Sequence, residues 1–296
     1  MLNVRRLNLG VILLLIICPS YVVLASFKTG AQTEYSIDVR GYTWNHSTIS
    51  VSILPQENET WWEPSYLNAT LHGIAQWNDA IQEFASNHVD FSYLSNLHLI
   101  PTISYEEVSG FDIYVEWNCE CESEALIGQS QATVQSSCII TNNRISLTAK
   151  APSGHIMTEV DMQNIVVHEI GHTLGLSHSN HFNDVMYATV DYRETVKPVS
   201  SLDIYTLSQI FEWMTNSTQF SSTIMCPEES VLTLPPSISY VHFKINAENL
   251  PVSSPQNLIE DVLRLFWRPE SLTLIIFIVT LIAATAIILK RRNKPE

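Results

Sequence analysis

Basic residues are scarce in this 296-residue chain: 15 Lys and Arg stand against 30 Asp and Glu, for a formal net charge of −15. Nucleic-acid binding needs Lys and Arg to neutralise phosphates. That class of partner is therefore excluded, and the acidity reads as a soluble, self-repelling exterior. No internal repeat is present, and no cysteine lies between Cys18 and Cys119. The chain also lacks a C-x-x-C pair, which leaves Cys119-Glu120-Cys121 as a weaker candidate for a cysteine metal site. Long uncharged apolar runs are missing except near the two ends.

The first of these runs follows Arg5 and Arg6, spans Leu7 to Ile17 and leads to Val23-Leu24-Ala25. That order is expected of a secretory signal cut after Ala25, with an uncleaved anchor as the alternative. The second run, Leu272 to Leu289, carries no charge. About 18 residues at 1.5 Å rise reach roughly 27 Å, enough to cross a bilayer. Lys290, Arg291, Arg292 and Lys294 follow it and mark the cytoplasmic side, with Trp267 at the opposite interface. Pro269-Glu270 before the run also resembles tails cut by exosortase-type transpeptidases, which would remove the basic tail. The expected organisation is a signal peptide (1–25), a linker (26–40), a folded domain (41–225), a proline-bearing stalk (226–271), a transmembrane helix (272–289) and a cytoplasmic tail (290–296). The folded domain is expected outside the cell. Export favours disulfides. Cys119, Cys121, Cys138 and Cys226 allow three pairings, the most local joining Cys138 to Cys119 or Cys121. Asn45, Asn58, Asn68 and Asn216 each open an N-x-S/T sequon, the pattern of a glycosylated surface.

The stretch that carries chemistry is His168-Glu169-Ile170-Gly171-His172-Thr173-Leu174-Gly175-Leu176-Ser177-His178. It follows the apolar run Ile165-Val166-Val167, suited to a buried helix. On that helix His168 and His172, four apart, leave one face together and can grip one zinc ion. Glu169 is placed to act as a general base beside it. Gly175 can adopt the left-handed conformation that ends a helix. The chain then turns back and brings His178 to the same metal, leaving the fourth tetrahedral corner open. His181 reads as a surface residue.

The pattern H-E-x-x-H-x-x-G-x-x-H, with Asp184-Val185-Met186-Tyr187 downstream and Ser179 after the third histidine, resembles the metzincin zinc peptidases, and within them the matrixin branch. The looser likeness spans roughly Gly41 to Thr215. It implies an α+β catalytic domain, a twisted mixed β-sheet with a zinc-binding active-site helix, here joined to a single C-terminal transmembrane helix. It implies a catalytic Zn2+, polypeptide substrates, and Met186 packed beneath the histidines. Tyr187 would shape the pocket wall or stabilise an oxyanion. It also implies that the strand before the zinc helix is the sheet edge, where a substrate adds as a further strand, around Ala125 to Val134. Two departures stand out. Ala188 replaces the proline that matrixins usually carry after the Met-Tyr pair, and no set matching their structural-zinc ligands is found. A Ca2+ site is left unassigned. The latency cysteine of a matrixin pro-segment is also missing.

Local patterns fill in the rest. Thr48 to Ile53 and Phe111 to Trp117 alternate as strands, with shorter runs at Gln131 to Val134 and Arg144 to Thr148. Glu63-Pro64 opens a helix whose Leu67, Leu71, Ile74, Trp77, Ile81 and Phe84 recur at helical spacing. The zinc helix is expected over Glu159 to Leu174. A last helix is expected to be capped by Ser201, with Asp203 in its first turn. The resulting expectation is a membrane-anchored extracellular zinc endopeptidase. The alternative is a catalytically silent ectodomain that binds surface partners.

Overall fold

Ile37 and Val39 alternate with polar neighbours and turn inward, making Ser36–Val39 a short strand, β1. It lies in the segment read above as a linker. The computed structural model describes residues 34–120, 127–135, 138–189, 192, 195–215 and 226–245. β2 (Thr48–Ile53) buries Ile49, Val51 and Ile53. Helix α1 (Pro64–Asn87) begins with the expected proline in its first turn, where a missing N–H costs nothing. Its Ile74, Trp77, Ile81 and Phe84 are buried, whereas Leu67 and Leu71 are half-buried against the same core. A 3-10 helix (Val89–Asn96) leads into β3 (His98–Ile103), followed by β4 (Ile113–Glu120), β5 (Gly128–Val134) and β6 (Ile140–Lys150).

These five strands form one mixed sheet in the order β3-β2-β4-β6-β5. Pairings β2–β3, β2–β4 and β4–β6 are parallel; β5 runs antiparallel to β6. The edge on the site's side is therefore β5, within the stretch expected to receive substrate. The strand immediately before the zinc helix in the chain is β6, and it is an inner strand.

Helix α2 (Glu159–Thr173) packs against α1 and the sheet, and β7 (Leu176–Ser179) follows at once. Helix α3 (Ser201–Ile210) is capped by Ser200, one residue earlier than expected, because Asp203 N–H donates to Ser200 Oγ and Ser200 N–H to Asp203 Oδ2. A 3-10 turn (Glu212–Thr215) follows, and β8 (Ser230–Thr233) comes last.

β7, β1 and β8 form a second sheet in that order. Two expected boundaries change with it. Residues 36–39 belong to the fold and are not linker, and residues 230–233 belong to it and are not stalk. Leu234, Ile238 and Phe243 are buried as well. In place of a strand pair near Tyr240 to Ile245, there is an isolated bridge between Ser200 and His242.

The disulfide joins Cys138 to Cys226, 88 residues apart, rather than closing the most local pair. The reason is register. Asn118 pairs with Thr148, so Cys119 stands at the far end of β6 from Cys138, roughly 30 Å away at about 3.3 Å per residue. Cys119 is free and half-buried; Cys121 lies outside the described residues. Among the described residues no helix is long and apolar enough to cross a membrane. The expected signal peptide, most of the stalk, the Leu272 to Leu289 span and the basic tail all lie outside them.

Candidate metal centre and active-site cleft

Helix α2 starts at a capping box. Asp161 N–H donates to Thr158 Oγ1 at 3.2 Å, and Thr158 N–H donates back to the Asp161 carboxylate at 3.0 Å. From Asp161 to Thr173 every residue is buried, so the helix is held on all sides. Trp77 of α1 donates its indole N–H to Val167 O at 2.9 Å. Gly171 faces Met186 so closely that a Cβ there would lie 2.3 Å from the sulfur. Met186 is fully buried and packs against the helix between the positions of His168 and His172.

The helix ends as its sequence requires. Gly175 has φ +98°, and a Cβ there would also strike Tyr42 O at 2.8 Å. Both the backbone conformation and the space demand glycine. The reversed chain becomes β7, antiparallel to β1. Ile37 faces Ser179 and Val39 faces Leu176, so two steps on β1 meet three on β7. Such a bulge re-aims side chains, and it occurs where His178 leaves the strand.

The three imidazoles converge. Ring centroids are 4.6 Å apart for His168 and His172, 5.0 Å for His172 and His178, and 5.5 Å for His168 and His178. One nitrogen of each lies within 4.8 Å of the others. His168 Nδ1 donates to Val185 O at 2.8 Å, and His172 Nδ1 donates to Leu176 O at 2.9 Å. Since a carbonyl can only accept, both Nδ1 atoms carry the proton and both Nε2 lone pairs are free for a metal. Burial lowers the pKa of His168 to about 4, against the bond to Val185. Burial, then the nearby His168, lowers that of His172 to about 2. Burial, then the charge of Arg40, also lowers that of His178. Neutral imidazoles are what a divalent cation needs, and the donor set fits zinc. Among the described residues no other group of three His, Cys, Asp or Glu side chains converges in this way. Calcium gains no support.

Glu169 stands apart from the ligand set. Its side chain is buried, the Ser130 backbone N–H donates to its carboxylate, and Oε2 has no hydrogen-bond partner. Burial raises its pKa to about 7, against the lowering effect of Arg40. The edge strand crosses directly over this carboxylate: a Cβ on Gly128 would lie 2.8 Å from Glu169 Oε1.

A cavity of about 630 Å³ opens here. Gly128, Gln129 and Ser130 of β5 line it together with the three histidines and Glu169. Ala188 and Thr189 line it where the proline was missed. Tyr187 does not line it. It is half-buried and bridges to Ser179, whereas Tyr192 lines the cavity. Tyr192 lies on His155 with centroids 4.1 Å apart, and His155 bonds Asp161 at 2.9 Å. Arg40 also lines the cleft and was not anticipated, because its segment carried no pattern beyond its polarity. His181 does not join the ligands; it is half-buried between Tyr35 and Tyr240.

The Met186 turn is anchored from behind. Asp184 Oδ1 accepts the Met186 N–H at 2.9 Å, while Asp184 Oδ2 accepts from Ser200 Oγ at 2.7 Å and Tyr240 Oη at 3.2 Å. Lys197 Nζ donates to Phe182 O and Asp184 O. Asp203 is buried in the same cluster; burial first, then the Asp184 charge, pushes its pKa well above the carboxylate range.

A helix that presents two histidines, a glycine turn to a third and a buried methionine beneath them define a metzincin-type metallopeptidase domain on a mixed sheet. The matrixin family model matches residues 43–212, more than half of the chain, and the chain belongs to that family of metallopeptidases. A search of curated proteins found no match.

Proposed function

We propose that the protein is a membrane-anchored extracellular zinc endopeptidase in which His168, His172 and His178 hold the metal and Glu169 is the catalytic base. The observation that carries this reading is the Glu169 carboxylate, buried, bare at Oε2 and adjacent to three metal-ready imidazoles. Zinc, when bound, supplies the Lewis acidity that activates water and polarises a carbonyl. Glu169 accepts the proton of the attacking water and delivers it to the leaving amine. Its burial and bare Oε2 leave the carboxylate without a competing partner for that proton. Ser130 N–H holds the carboxylate in place, and the free edge of β5 offers main-chain partners to an extended polypeptide. The extracellular, membrane-tethered placement rests on the signal-like start, the Leu272 to Leu289 run and the basic tail. Exposed Asn45, Asn58 and Asn68 are accessible for glycosylation in that setting.

The test is a contrast between two variants. Glu169→Ala is expected to keep zinc and lower peptide hydrolysis by roughly 10²–10⁴-fold. His168→Ala is expected to lose zinc and activity together, measured by metal analysis beside a chelator-controlled cleavage assay. A Glu169→Ala protein that cleaves at the wild-type rate would remove Glu169 from the mechanism, whereas a zinc-loaded wild-type protein that cleaves nothing would return the domain to a binding module.

A further inference from the structure

Arg40 is an unusual presence in the cleft. The chain has half as many basic as acidic residues, yet a guanidinium lines the cavity beside the histidines. Its backbone is fixed, because Arg40 N–H donates to Gly175 O at 3.1 Å, at the turn that ends the zinc helix. Its side chain is steadied by one bond, from Nη1 to Tyr42 Oη at 3.1 Å. Among the described residues no Asp or Glu forms an ion pair with it. A guanidinium has five N–H donors arranged to match a carboxylate, and four of these are not engaged by Tyr42.

The cleft has two distinguishable ends. Tyr192, through His155 and Asp161, belongs to the N-terminal end of α2, while Arg40, through Gly175, belongs to its C-terminal end. Strand β5 runs from Gly128, over Glu169, to Val134. Val134 pairs with Ile140, whose N–H donates to Thr43 O, three residues from Arg40. Arg40 therefore marks the end toward which β5 runs. A peptide that adds antiparallel, the slightly more stable pairing, enters with its N-terminal part over Arg40.

We propose that Arg40 forms a subsite for an acidic side chain of the substrate, on the N-terminal side of the scissile bond. This rests on the peptidase reading and adds a substrate class to it. A carboxylate there replaces water on the guanidinium with charge-assisted bonds, and a Gln of the same shape makes weaker ones.

The experiment uses the full-length, zinc-loaded protein and pairs of fluorogenic peptides identical except for Glu or Gln. The variable residue is walked through the three positions before the cleaved bond and the three after it. At one position before the bond, kcat/KM is expected to favour Glu by about tenfold or more. Arg40→Gln should bring that ratio close to one, and Arg40→Lys should keep part of it. The same peptides are titrated against the Glu169→Gln protein, with and without Arg40→Gln, so that a Kd ratio is read without turnover. Cleavage with equal Glu:Gln ratios in wild type and Arg40→Gln would overturn the subsite, as would a Glu preference confined to positions after the bond. Arg40-dependent binding of the Glu peptide without any cleavage would keep the subsite and overturn the peptidase reading instead.

Discussion

The two sheets hold different parts of one site. The five-stranded sheet is assembled from neighbouring segments, β2 to β6, and through β5 it fixes Glu169. The three-stranded sheet draws β1, β7 and β8 from far apart, and through the β1–β7 bulge it fixes His178. The first lies inside the span that matches the matrixin model; β1 and β8 lie outside it. The Glu169 carboxylate and the His178 imidazole are thus secured by pieces with separate origins in the chain. A protein can carry every residue of the motif and still depend on flanking strands to aim one of them.

The sharpest way to break this comparison is to remove residues 34–40 while keeping the rest of the chain. The shortened protein is expected to bind zinc about tenfold to hundredfold more weakly, the range for lost ligand-orienting contacts, read by competition with a chromogenic chelator. Unchanged zinc affinity would reduce the small sheet to packing alone. Next in size is the tie between the second sheet's C-terminal strand and the main fold. The Cys138–Cys226 bridge closes an 88-residue loop, so Cys226→Ser is expected to cost about 2–4 kcal/mol in denaturant unfolding.

The anchoring cluster behind Met186 offers a pH test. The Asp203 pKa is raised in the fold, whereas unfolded it ionises near about 3.9. Its stabilising contribution is therefore complete below about pH 4 and is lost as pH rises toward the folded value. Each pH unit costs up to about 1.4 kcal/mol in that window. Asp203→Asn should flatten this decline, seen as a smaller fall in Tm between acid and neutral pH. The smallest effect belongs to Met186→Leu. A near-isosteric exchange costs less than about 1.5 kcal/mol, and zinc content should stay at the wild-type level; a large loss of metal would make Met186 more than packing.

What could be read beforehand follows the same division. The zinc helix, its glycine stop, α1 with Trp77 and the strand Thr48–Ile53 announce themselves through local spacing and caps, which act within a few residues. β1 and β8 are four residues each, and nothing within Ser36–Val39 reveals that its partners are Leu176–Ser179 and Ser230–Thr233. Disulfide partners are equally a product of register. Arg40 enters the cleft from the end of β1, far in sequence from the histidine motif, and Tyr192 stands six residues beyond Met186, outside the motif pattern, so their residue types alone carried no signal. Ser200 rather than Ser201 caps α3 because adjacent serines offer the same hydroxyl, and only the geometry to Asp203 separates them.

The position of the disulfide also has a mechanical consequence. Tension on the chain beyond residue 245 is met first by the bonds of Phe243 to Val199 and Val241 to Ser201, then by the ladder between β8 and β1. Should these give way, the pull arrives at Cys226 and passes covalently into the loop ahead of β6. Because β1 lies between β8 and β7, load on the β8–β1 ladder is shared with the β1–β7 ladder until the bridge takes it up. The bridge therefore limits how far a pull on the C-terminal segment can draw β8 away, and with it the load that reaches the strand bearing His178.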